Sequence, residues 1–222
     1  FEDLGLKCMV NAFPHSEDSL EPLLDMAATL KATQLNIIAQ VMPRSPEAAV
    51  PIVERWLDLA KQYPFPVLME THRNSTLNDL FYTLDVLQKV PQLRLCADLS
   101  HFVVDRELSL PLSAIDHQYF NDIIHRSDSF QGRISSNQQV QIAIEFEQHA
   151  PWVAQYLEWW EDGFRAWSER SDSNDTMRFL VELGPPPYAI TNEHQRELSD
   201  RWAEGLLIRQ WVQSLWLKAT SS

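Results

Sequence analysis

Cysteine is scarce: Cys8 and Cys96 are the only two in 222 residues, too few for a disulfide framework or a cysteine-rich zinc site. Both sit inside apolar, strand-like runs, where a cysteine reads as a small buried side chain, and a reducing, cytoplasmic compartment is the expectation. Positive charge is also short. Lys and Arg total 18 against 31 Asp and Glu, a formal net charge of −13. The basic residues are scattered, which argues against nucleic acid as a partner, because such binding draws most of its affinity from clustered cations. No apolar run approaches the ~20 residues that span a bilayer. Phe1-Glu2-Asp3 lacks the basic, then apolar, then small pattern of a signal peptide, so no membrane association is expected. No interval reads as a flexible linker and no sequence period emerges. Residues 1–222 are therefore read as a single domain.

What is present is an alternation of apolar, strand-like runs with amphipathic helical ones. Val67-Leu68-Met69-Glu70-Thr71-His72-Arg73 ends an apolar run in a carboxylate, an imidazole and a guanidinium, as a buried strand delivering polar groups at its C-terminal end would. Leu93 to His101, Asp122 to Asp128 and Met177 to Gly184 repeat the design, with strands ending at Asp98, His125 and Glu182. Two earlier strands are read from Gly5 to Phe13 and from Gln34 to Gln40. Helical spacing follows through Leu20, Leu23, Leu24, Ala27 and Leu30. Ser45-Pro46-Glu47 opens a second helix with proline at its first position, and Asn78 to Val90, Glu145 to Arg170 and Gln195 to Lys218 supply three more. The stretch to Gln118 is polar and irregular. Residues 127–141 have no period and read as a long loop at the C-terminal face, of the kind that often carries function. Trp152, Trp159, Trp160 and Trp167 share one helical face, which reads as packing of an outer helix or a subunit contact. The sum is βαβ construction and an α/β fold.

Alternation within a strand decides which side chains meet. With Glu70 inward, Leu68 and His72 share its face; Asp98 goes with Cys96, His125 with Ile123 and Glu182 with Leu180. Two Glu, one Asp and one His at a common height would repel one another unless something positive sits among them, since unpaired buried carboxylates are costly or become protonated. One divalent cation meets that need. A carboxylate-rich set with a single imidazole suits Mn²⁺ or Mg²⁺, and Zn²⁺, Co²⁺ or Fe²⁺ are compatible.

The series Met69-Glu70-Thr71-His72-Arg73, Ala97-Asp98-Leu99-Ser100-His101, His125-Arg126-Ser127-Asp128 and Val181-Glu182-Leu183-Gly184 resembles the xylose-isomerase-like barrel superfamily of sugar and sugar-phosphate isomerases and epimerases, which also contains endonuclease IV. The resemblance covers most of the chain. It implies a TIM (β/α)8-type barrel in which Glu70, Asp98, His125 and Glu182 bind the metal and His101 contacts substrate. The family's arginine, a few residues past the metal histidine, falls at position 131, which is Gln here; Arg133 stands nearby. Arg133, His101, His72, Arg73 and Gln40 are thus the substrate-binding candidates, with Asn11 as a further rim residue. The implied reaction is proton abstraction beside a carbonyl of a small carbohydrate-like substrate, through an enediolate, with Glu70 and Glu182 as the acid/base pair.

Three rivals stand beside that reading. One is a metal-dependent dehydratase of a keto-cyclitol or dehydroshikimate-like substrate. Another is the DNA-repair branch, against which the net charge counts, and the last is a degenerate barrel serving as a binding module. About six strands are counted where closing a barrel takes eight. The chain is therefore expected to be an incomplete barrel that starts at the third strand, with Phe1-Glu2-Asp3-Leu4 ending a helix. Its open edges would then be covered by another subunit, by the Trp-rich helix or by rearranged termini, and a homo-oligomer through that helix or edge is the corresponding expectation.

Overall fold

The computed structural model describes residues 4–221; the helix end expected at Phe1-Glu2-Asp3 lies outside them. The chain divides into two compact units, Phe1–Cys96 and Ala97–Ser222.

The first unit is a run of βα repeats: β1 (Cys8–Ala12), α1 (Glu21–Thr29), β2 (Ala32–Ile37), α2 (Pro46–Ala60), β3 (Val67–Glu70), α3 (Leu80–Lys89) and the start of β4 (Leu95–Ala97). Its helices begin where the sequence supplies caps. Ser45 Oγ accepts the Ala48 N–H at 3.3 Å ahead of Pro46, and Asp79 accepts the Tyr82 N–H at 2.7 Å, each satisfying a donor the helix cannot pair itself. The faces turned inward are apolar: Ala49, Ile52, Val53 and Trp56 on α2, and Leu80, Val86 and Leu87 on α3. β1, β2, β3 and β4 pair in that order, all parallel. Register sets Asn11 beside Asn36 and Asn36 beside Leu68. A chain of amides runs across that face: Gln34 Nε2 donates to Asn36 Oδ1 at 2.7 Å, and Asn36 Nδ2 to Asn11 Oδ1 at 3.2 Å.

The second unit holds α4 (Leu99–Asp105), α5 (Ala114–Ile124), β5 (Ser127–Gln131), α6 (Ala150–Arg170), β6 (Arg178–Leu180) and α7 (Arg201–Thr220). β5 and β6 are parallel, with Phe130 opposite Phe179. Aromatic packing joins the helices to this pair. Trp159 stacks on Phe120 with ring centroids 4.6 Å apart, Trp160 meets Phe179 edge-on at 4.9 Å, and Trp167 lies against Trp216 at 5.6 Å. Such contacts add ~0.5–1.5 kcal/mol each beyond area burial. Three of the four tryptophans expected on one face, Trp159, Trp160 and Trp167, are thus buried inside this unit.

Three expectations are corrected here. The apolar Ile123-Ile124 preceding His125 is the buried face of α5, and His125 is that helix's C-cap rather than the end of a strand. The strand comes next, inside the segment expected to be loop. β5 has the sequence Ser-Asp-Ser-Phe-Gln and is nevertheless buried at Ser127, Ser129, Phe130 and Gln131. Small hydroxyls replace aliphatic groups on one face, so the segment carries no apolar strand pattern. Ser127 Oγ donates to the Ile123 carbonyl and Ser129 Oγ to the Arg178 carbonyl, both at 2.8 Å, which removes the cost of burying them. The stretch to Gln118, expected to be irregular, contains α4 and the start of α5.

Six strands in the described residues alternate with helices and are parallel in every pair within a unit. This is an α/β architecture with about six of the eight βα units of a TIM-type barrel. No helix among the described residues is long and apolar enough to cross a membrane.

Candidate functional site

β4 delivers Asp98 to the first turn of α4, where it caps the helix: its Oδ1 accepts the Ser100 N–H at 3.0 Å and the Ser100 hydroxyl as well. One turn on, His101 brings Nε2 to 3.4 Å from Asp98 Oδ2. β5 ends at Gln131, and Gly132 then turns the chain so that Arg133 enters the same place. That glycine is required sterically, since a Cβ there would lie 2.3 Å from the Phe179 ring. Arg133 is 2% exposed. Its Nε donates to Asp98 Oδ2 at 3.1 Å and its Nη2 pairs with Glu182 Oε1 at 2.6 Å. Nη1 reaches Gln141 Oε1 at 3.4 Å.

The last side of the guanidinium is closed by the segment after β6. Gln141 is tied twice to Gly184, donating to its carbonyl at 2.9 Å and accepting its N–H at 2.7 Å. Tyr188 places its ring 4.7 Å from the Arg133 guanidinium carbon, a cation–π contact. Behind Arg133, the Ser135 and Tyr156 hydroxyls share a hydrogen bond of 2.6 Å, and burial drives the Tyr156 phenol well above its ordinary range.

The two carboxylates differ in character. Burial alone would raise Asp98, but the charges of His101 and Arg133, with the Ser100 hydrogen bond, outweigh it and hold the carboxyl below its usual range. Glu182 goes the other way. Burial, then repulsion from Asp98, lift it above the ordinary carboxylate value, with Arg133 opposing incompletely. Its Oε1 is paired, while Oε2 is buried with no hydrogen-bond partner. The Glu182 side chain as a whole keeps 31% of its surface, in contrast with Asp98 at 0%.

Of the residues expected from sequence, the structure brings Asp98, His101, Arg133 and Glu182 together in the second unit. His125 is exposed at the end of α5 and takes no part in this cluster. In the first unit, Glu70 is buried at the end of β3, paired in register with Cys96. His72 and Arg73 occupy the turn that follows, half-buried and exposed respectively. Gln40 is exposed, its N–H donating to the Pro14 carbonyl at 2.8 Å. Gln141, Tyr188 and Ser100 were not singled out by sequence. Gln141 closes the long loop flagged as functional, Ser100 sits within the Asp98 motif, and nothing local marks Tyr188.

The donor set does not fit a divalent ion. The oxygens of Asp98 are committed to Ser100 and Arg133, Glu182 Oε1 is committed to Arg133, and a guanidinium fills the space between the carboxylates. Among the described residues, no three His, Cys, Asp or Glu side chains are grouped so as to hold a metal ion. The arrangement can instead do acid–base work: a carboxyl of raised affinity for protons stands beside a fixed positive charge.

No family model and no curated protein matches the chain. Among solved structures, it is similar to the crystal structure of the probable 3-DHS dehydratase AsbF involved in petrobactin synthesis from Bacillus anthracis. Sequence identity is 16% and the TM-score 0.46, over 96% of this chain and 78% of that one.

Proposed function

We propose that the second unit carries a lyase site that dehydrates a small, polyhydroxylated carbonyl compound, with Glu182 as the acid/base and Arg133 as the electrostatic stabiliser. One observation carries the reading: Glu182 is lifted above the ordinary carboxylate range and has a buried oxygen with no hydrogen-bond partner, a state costly enough that catalysis is a standard reason to keep it. In the proposed reaction Glu182 removes the proton from the carbon beside the substrate carbonyl. The electron pair moves onto the carbonyl oxygen, where the Arg133 charge stabilises the enolate. When the carbonyl reforms, the β-carbon–oxygen bond breaks. The proton held by Glu182 goes to the leaving hydroxyl, so water departs, an α,β-unsaturated carbonyl compound remains and the carboxylate is restored.

Elimination is favoured over the epimerisation expected from sequence because it needs one acid/base carboxyl, whereas moving a proton between two faces of a carbon needs two. The second unit supplies one. The test is to incubate the protein with keto-cyclitols and dehydroshikimate-like hydroxy ketones in D₂O, following enone absorbance and loss of the α-proton signal by NMR. Wild type should show both and Glu182→Gln neither; deuterium exchange without enone would restore the isomerase reading. A second reading, a binding module without turnover, is favoured by the completeness of the Arg133 network. Thermal stabilisation by a hydroxy ketone that is neither exchanged nor dehydrated would select it.

A further inference from the structure

The converging strand ends demand a positive partner, and the structure already contains one. Arg133 bridges Asp98 and Glu182 at 3.1 and 2.6 Å. A guanidinium keeps its charge at any pH a protein survives, and its planar fork suits two carboxylates at once. Its seat is built from three sides: Gln141 is pinned to Gly184 by two hydrogen bonds, the Tyr188 ring covers the guanidinium face at 4.7 Å, and Asp98 is fixed by Ser100. Gly184 makes that cover fit, because a Cβ at 184 would come within 2.8 Å of the Tyr188 ring. A divalent ion entering between the carboxylates would have to expel a buried arginine from all of these partners, leaving an unpaired buried charge.

We propose that Arg133 is the resident cation of this site, standing in place of a divalent metal ion, so that Asp98 and Glu182 bind no metal in the native protein. The inference is independent of which reaction the site runs. It is tested by binding measurements that need no turnover. Wild-type protein, freed of metal with EDTA and titrated with Mn²⁺ while free Mn²⁺ is followed by electron paramagnetic resonance, should show no stoichiometric site tighter than about 1 mM. Removing the guanidinium opens a cation site between the carboxylates. The melting temperature of Arg133→Ala should therefore rise by about 3 °C or more in dilute guanidinium chloride relative to equimolar NaCl, with no such difference in wild type. One tightly bound Mn²⁺ per wild-type chain that disappears in Asp98→Asn would overturn the proposal, as would an Arg133→Ala protein that responds alike to the two salts. If Arg133→Ala does not fold, the wild-type titration decides alone.

Discussion

Glu182 has one oxygen held by Arg133 and the other without a hydrogen-bond partner, so replacing it tests chemistry more than architecture. Glu182→Gln keeps an oxygen near Arg133 but cannot take up a proton, and turnover should fall on the order of 10²-fold or more. KM should change far less; a fall confined to KM would assign Glu182 to binding. Because burial and Asp98 raise its proton affinity, the acid limb of kcat/KM in wild type should lie above the ordinary 4.5 of a glutamate. Arg133 is the structural counterpart. Arg133→Leu leaves the buried Asp98 carboxylate facing the half-buried Glu182 with no cation between them and should cost about 3–5 kcal/mol in urea unfolding at neutral pH, with the loss shrinking in acid as the carboxyls protonate. A variant as stable as wild type at pH 7 would mean the pairing is not formed in solution.

The elements that aim these side chains depend on two glycines at close approaches. Gly132 follows β5, and a Cβ there would lie 2.3 Å from the Phe179 ring, itself packed against Trp160. Gly132→Ala should therefore destabilise by about 1–3 kcal/mol through overpacking and displace Arg133, seen as reduced stability together with lost turnover; an unchanged urea midpoint would show that the β5–β6 pair can spread at no cost. Gly184→Ala should act differently, moving Tyr188 off the guanidinium with little effect on the remainder of the unit, visible as altered near-ultraviolet circular dichroism. Most helices and strands of the first unit were legible in the sequence, since Ser45-Pro46 and Asp79 cap helices whose apolar faces recur at helical spacing. β5 was not legible. Its buried serines satisfy themselves on the carbonyls of Ile123 and Arg178, and those partners are known only once the chain has folded.

At the scale of the whole molecule, the two site carboxylates tilt acid stability in opposite directions. Asp98 is held below its unfolded value of 3.8. Its contribution is present above that pH and is lost as pH falls through the lower, folded value. Glu182 lies above its unfolded value of 4.5. Between 4.5 and its folded value the native state binds more protons than the unfolded chain, so stability falls as pH rises. Urea midpoints measured against pH should therefore show Asp98→Asn flattening the acid limb and Glu182→Gln flattening the decline above pH 4.5; the reverse pattern would exchange the two assignments. The net charge of −13 predicts no mobility shift of duplex DNA at physiological salt, which a gel would check. Composition and apolar periodicity alone settled the α/β class and five of the six strands, those leading to Glu70, Asp98 and Glu182 among them, because burial of parallel strands and helical faces is written locally in residue order. The cation was decided only by tertiary structure. The need for a positive partner was readable from the carboxylates, but Arg133 reaches them through a turn at Gly132 and is held by Gln141 and Tyr188. The contacts of Arg133 with Asp98, Glu182 and Tyr188 span tens of residues, and no local pattern records them.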